Sequence, residues 1–176
     1  MKKRSVLALA VLGTATLASG PISAQTFQNG PYYANPSWDQ QIPAAQRFIV
    51  LSNWNNAAVL DRETGLVWQR APSFGKDFWS DAFSLCIIND IAGRFGWRLP
   101  GIQELASLTD LTQTSPALPA GHPFQGIGVN DIFWSATTFG SDPTKAWTWG
   151  FARNGVAEGV GKASNTPVIM VRPGRL

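Results

Sequence analysis

The stretch GWRLPGIQELASL, residues 96–108, constrains this chain more than any other. Pro100 sterically disfavours helical geometry at the residue before it, so Leu99 is expected to be extended and the chain to turn sharply there. Pro100 and Gly101 precede IQELASL, in which Ile102, Leu105 and Leu108 recur at the spacing of a helix with one buried face. Glu104 lies three residues after Gly101, which places the two at N-cap and N3. This is half of a capping box, because glycine brings no side-chain acceptor. Arg98 is expected to meet a carboxylate across the corner, with Glu104 and Asp110 the nearest candidates. Such a pair fixes geometry and adds little net stability. The stretch therefore reads as a fold-defining corner in which Arg98, Pro100 and Glu104 are structural.

The chain opens MKKRSVLALAVLGTATLASGPISA. A basic start, a short apolar run over residues 6–17 and a small-residue site at Ile22-Ser23-Ala24 form a secretory signal pattern, expected to be removed after residue 24. The apolar run falls short of the roughly 20 residues a spanning helix needs. Of 14 Lys and Arg in the chain, three lie in residues 1–24 with none of the 11 acids, so the remaining 152 residues carry 11 charges of each sign. That neutrality gives no reason to expect nucleic acid as a partner. No other apolar run is long enough for a membrane span, and the length suits one domain.

All eight Trp fall after residue 24, which suggests a loop-rich fold packed around aromatics. Cys86 is the single cysteine, so no disulfide can form within the chain. Residues 25–46, with three Pro and the Tyr32-Tyr33 pair, read as an irregular leader. Residues 47–51 read as a strand and 57–69 as a hairpin turning at Gly65. Residues 77–92 read as a helix capped by Asp77, with Trp79, Ala82, Phe83, Cys86 and Ile87 as one buried stripe. Residues 109–131 form a Pro- and Gly-rich segment that Phe124 and Ile127 would pin down. Loops beyond about 12–15 residues are usually functional or disordered. Strands follow at 133–137 and 146–151, the second alternating Trp147, Trp149 and Phe151 onto one face. Asn154-Gly155 signals a hairpin turn, and residues 156–163 and 168–172 complete the sheet.

Taken in order, TGLVWQR (64–70), FWSDAFSLC (78–86), GRFGWRLPGIQELASLTD (93–110), SPALPAGHPF (115–124), FWSATT (133–138), AWTWGF (146–151) and KASNTPVIMVRPG (162–174) resemble the Lcl C-terminal domain family. This is a bacterial exported domain named for the end domain of a Legionella collagen-like adhesin. The resemblance covers nearly all of residues 47–174. It implies an α+β domain over 47–176 with a C-type lectin-like fold: two helices on a twisted antiparallel sheet, a long loop region, and both domain termini in neighbouring strands. Formylglycine-generating enzymes of that fold have a similar RLP…E stretch, which supports the corner reading. Two departures stand out. The family usually pairs a Cys in the helix with one in the last strand, but here Met170 stands at the second position and Cys86 is left free. Family members also usually carry Thr where this chain has Gly101.

Catalysis finds little support. His122 is the only histidine, and no Ser-His-Asp set can be placed. Cys86 falls on the predicted buried stripe, where a free thiol behaves as a small hydrophobe. Formylglycine-generating chemistry uses more than one active-site cysteine. Asn130-Asp131 resembles part of the calcium site of carbohydrate-binding C-type lectins, but calcium needs about 6–8 oxygen ligands and no Glu-Pro-Asn or Gln-Pro-Asp supplies the rest. No metal or cofactor is expected. The candidate ligand contacts are His122, Gln125, Asn130, Asp131, Trp134 and Lys145. Sugars stack on exposed aromatic faces, with Trp134 or Tyr33 the candidates, and Asp131, Asp142, Lys145 and Arg153 form a charged rim. The expected function is a periplasmic or extracellular non-catalytic module that binds a glycan or protein at the cell envelope. The alternatives are an envelope enzyme using His122 with Asp131 or Cys86, and a structural subunit of an envelope assembly.

Overall fold

Leu66–Gln69 (β3) is buried along its whole length, as only a strand covered on both faces can be. It pairs antiparallel with Ala58–Asp61 (β2) through the Gly65 turn, where φ is +69°. The computed structural model describes residues 42–114, 116–152 and 155–174. The expected signal and most of the expected leader, with Tyr32 and Tyr33, lie outside the described residues, as do Arg153 and Asn154.

The central sheet runs in the order β1-β2-β3-β9, with Phe48–Val50 as β1 and Val171–Pro173 as β9, every pairing antiparallel. The first and last strands are thus its two edges rather than neighbours. Two smaller antiparallel sheets join it: Ser73–Asp77 (β4) with Thr166–Val168 (β8), and Ile132–Thr138 (β5), Lys145–Gly150 (β6) and Val156–Gly161 (β7) in chain order. Helices are few: a single turn at Ala44–Arg47 (α1), Trp79–Ile88 (α2) and Ile102–Ser107 (α3). The domain is α+β with antiparallel sheets. Among the described residues no helix is long and apolar enough to cross a membrane.

Side-chain alternation along the central strands builds two cores. Val59, Leu66 and Trp68 face a cluster with Leu105 and Leu108 around α3, Leu118 and Phe124 of the long segment, and Phe133 and Phe151. Ala58 and Val67 face the other way, into a cluster with Ala82 and Cys86 of α2, Trp97, Leu99, Trp134, Val168 and Met170. Helix α2 therefore covers one face of the sheet, and α3 with the long segment covers the other.

Several expected boundaries shift. The predicted helix over 77–92 runs only over Trp79–Ile88. Asp77 ends β4, opposite Thr166, so it cannot cap the helix, and Phe78 holds the N-cap position without a side-chain bond. Ala82 and Cys86 are buried and Trp79, Phe83 and Leu85 pack partly beneath them, whereas Ile87 is 72% exposed. The expected strand over 168–172 breaks at Ile169-Met170 because its two halves join different sheets. The last residues of the leader form α1 rather than an irregular segment.

Candidate functional site

The corner is built from backbone and carboxylate together. Arg98 exchanges both main-chain hydrogen bonds with Val171, at 2.9 and 3.0 Å, which ties it to β9. Its guanidinium donates to Glu104 as a fork, Nη1 to Oε2 at 2.7 Å and Nη2 to Oε1 at 2.6 Å. Glu104 Oε2 also accepts the Gly101 N–H at 2.7 Å, satisfying one orphan donor at the start of α3. Pro100 is buried, and its carbonyl accepts the Ala136 N–H at 2.7 Å, so the turn is sewn to β5. These bonds hold α3 against the two sheets.

A second polar centre is more deeply buried. Arg47, at the end of α1, donates Nε and Nη2 to the two oxygens of Asp61, and Nη2 also donates to the Ser107 carbonyl at 2.8 Å. Glu63 Oε2 lies 3.1 Å from Nη1, an ion pair without hydrogen-bond geometry. Burial works against the charge on Arg47, but Asp61, Glu63 and Asp110 outweigh it and hold the proton more tightly than usual. Burial pushes the Glu63 carboxyl up, against the Ile42 N–H and Arg47. Sequence spacing does not announce this centre, because residues 14 apart carry no pairing signal. The one local signal was Asp61 opening a turn, where it also accepts from Glu63 N and Thr64 Oγ1.

The long segment is pinned on both sides. Asp110 N donates to Ala117 O, Ala117 N donates to Phe151 O, and Leu118 and Pro119 are buried. Arg70, at the end of β3, donates Nε to Pro123 O at 3.0 Å, and its own carbonyl accepts the Gln125 N–H at 2.9 Å. Phe124 packs edge-on against Phe48, with ring centroids 5.4 Å apart. Between these anchors and β5 the backbone surfaces: Gln125, Gly126, Gly128, Val129 and Asn130 are exposed, and Ile127 reaches back to the core.

The candidate ligand residues divide. His122 is half-buried, its ring tilted against Phe124 at 6.0 Å, with Nδ1 buried and without a partner among the described residues. Burial lowers its pKa below the usual histidine value. Gln125 and Asn130 lie on the exposed tip. Asp131 is half-buried, its Oδ2 accepting Gly128 N at 2.6 Å within the loop. Trp134 does not join them. It is fully buried in the α2-side core, with Nε1 donating to Asp77 O at 2.9 Å. Phe133 faces the core around α3, so alternation sends Trp134 to the opposite side of the sheet, and the expectation of an exposed stacking face is corrected. Lys145 is also elsewhere. It opens β6 opposite Gly161, while Gly150 at the far end pairs Ile132, next to Asp131. Six residues of strand place the two about 17 Å apart. Lys145 instead lies 3.5 Å from Asp142, whose carboxyl the Thr144 hydroxyl and N–H hold below the usual range. The expected rim is thus split, with Asp142 and Lys145 at one end and Asp131 at the other.

Trp149 is half-buried, its Nε1 donating to Thr109 Oγ1 at 3.0 Å, and Trp147 packs on Phe139 with centroids 4.5 Å apart. Cys86 is buried, and desolvation pushes its thiol up to about 12 despite Arg98. It shares a cluster with Met170. Among the described residues no group of three His, Cys, Asp or Glu side chains is placed to hold a metal ion.

The fold defines an α+β domain of antiparallel sheets with a pinned, surface-facing segment. The family model described as the Lcl C-terminal domain matches residues 57–172, and the chain belongs to that family. A comparison with curated proteins finds no match.

Proposed function

We propose that this protein is an exported, non-catalytic recognition module of the cell envelope, with a C-type lectin-like fold, and that it meets a glycan or protein partner through residues 122–131. The observation that carries this reading is the way the segment is used. Its apolar residues Leu118 and Phe124 are buried, Arg70 braces it, and Gln125 and Asn130 are left facing solvent. A surface pre-ordered from beneath loses less conformational freedom on binding than a free loop. His122 Nδ1, buried and unpartnered, adds a polar atom that a ligand group or water can satisfy. The signal pattern of residues 1–24 supports export. In the RLP…E corner Arg98 and Glu104 bind each other, which supports reading the pair as a brace.

The test is a glycan array and an envelope-protein pull-down with the mature chain and the double variant Gln125→Ala/Asn130→Ala. The expected result is a partner whose binding falls at least about tenfold in the variant, a loss of roughly 1.4 kcal/mol, with no change in unfolding temperature. A partner bound equally by both proteins, or no partner at all, contradicts the assignment.

A further inference from the structure

The opposite side of the central sheet carries a different kind of surface. Ile87 and Ile88 at the end of α2 are 72% and 73% exposed, and Phe95, seven residues on, is 64% exposed. The side chain of Arg94 lies over the Trp54 ring, Cζ 5.2 Å from its centroid, and Arg172 lies 5.3 Å from the same ring and 6.0 Å from that of Trp97. Arg172 Nη1 donates to Phe95 O at 2.6 Å, and Trp97 Nε1 donates to Arg94 O at 2.6 Å, so β9 and the two tryptophans fix this turn. Neither Arg94 nor Arg172 forms an ion pair with a carboxylate of the described residues. Asp90 is the one acid in residues 87–95.

Exposed aliphatic and aromatic side chains, cations without acidic partners, and indoles beneath them combine in a lipid interface. Apolar side chains enter the headgroup–acyl boundary, and guanidiniums stay with the phosphates. The apolar groups stand on a helix end and the turn after it. A fluid bilayer moulds around such groups, whereas a protein partner would need a matching pocket. Arg94, exposed, and Arg172, half-buried and held by the Phe95 carbonyl, keep their positive charges without a carboxylate partner among the described residues and supply the charge complementarity that selects an anionic surface.

We propose that the Ile87–Ile88–Phe95 corner docks the protein on an anionic phospholipid surface, with Arg94 and Arg172 meeting lipid phosphates. The corner lies on the α2 side of the sheet and the recognition segment on the α3 side, so a docked protein would keep residues 122–131 free. The two surfaces stand or fall separately.

The test is co-sedimentation of the mature chain from Gln25, which retains every described element, with two kinds of vesicle. One is phosphatidylcholine alone, and the other holds roughly three parts phosphatidylcholine to one of phosphatidylglycerol. Binding is expected to the anionic vesicles only. It should weaken about fivefold in Arg94→Gln. It should be lost in Ile87→Ser/Ile88→Ser, and at roughly 1 M salt, where the Debye length shrinks to about 3 Å. Gln125→Ala/Asn130→Ala should bind vesicles normally, and free glycerol phosphate should not compete. The substituted side chains are exposed, and an unchanged near-ultraviolet circular dichroism spectrum verifies the fold of each variant. No binding to anionic vesicles at low salt overturns the proposal, as does equal binding by the isoleucine variant. Competition by glycerol phosphate overturns it in favour of a soluble phosphate site. Retention on an acidic polypeptide without vesicle binding overturns it in favour of a protein partner.

Discussion

Arg47 and Asp61 meet through two parallel hydrogen bonds, Nε to Oδ1 at 2.9 Å and Nη2 to Oδ2 at 2.8 Å, although fourteen residues separate them and neither is more than 1% exposed. The pair fastens α1 to the β2 turn, and the bond from Arg47 to Ser107 O carries the attachment on to the end of α3. Removing Asp61 takes away both carboxylate hydrogen bonds of the buried Arg47 and leaves it only the Glu63 ion pair and the Ser107 carbonyl. Asp61→Ala is expected to lower unfolding stability by about 3–5 kcal/mol. Urea denaturation checks this, and a loss below about 1 kcal/mol would show that water reaches the site freely.

His122 makes stability depend on pH in a defined direction. Burial lowers its folded-state pKa, so the unfolded chain binds the proton more readily. The contribution of neutral His122 is therefore complete above the unfolded value of 6.5 and is lost as pH falls through the folded value. Denaturation midpoints measured between about pH 7.5 and 5 should fall more steeply for the natural chain than for His122→Gln. Parallel curves would mean that His122 titrates as it does in water.

Cys86 is expected to be silent toward thiol reagents in the folded protein near pH 8, because burial holds its thiol at about 12, and to react once the chain is unfolded in urea. Rapid labelling of the native protein would place the thiol at the surface.

Met170 shares the α2-side core with Cys86 and stands where family resemblance implies a second cysteine. Met170→Cys should form a disulfide with Cys86, seen as two free thiols lost by mass spectrometry, and should raise stability by about 2–4 kcal/mol. Two persistent free thiols would show that the strand and helix hold these positions in a different register from that of the family.

What could be read from the sequence followed physical range. The 58–69 hairpin and the 96–108 corner rest on neighbours in the chain, such as Gly65, Leu99-Pro100 and Glu104 three residues past Gly101, and local sterics specify them. The Arg47–Asp61 centre and the Arg70 brace depend on contacts across sheets, for which sequence spacing carries no signal. Alternation around Trp134 identifies two faces but not which is wet, and here both are covered. Residues 73–77 carry no local strand signal, because β4 forms only by pairing with β8, about 90 residues later. Of the candidate site, the tip residues Gln125 and Asn130 are exposed, while Lys145 belongs to the far end of β6.

The central claim is that Arg98 and Glu104 spend their charges on each other to hold the corner. A double-mutant cycle on urea unfolding, using Arg98→Met, Glu104→Gln and both together, tests it most directly. The account predicts a favourable coupling of about 1 kcal/mol, modest because both side chains are partly exposed, at 40% and 22%. Glu104→Gln should also cost more than the coupling alone, because its carboxylate caps Gly101. Additive single effects, with Arg98→Met leaving stability unchanged, would contradict the account and return Arg98 to the list of groups free to act on a ligand.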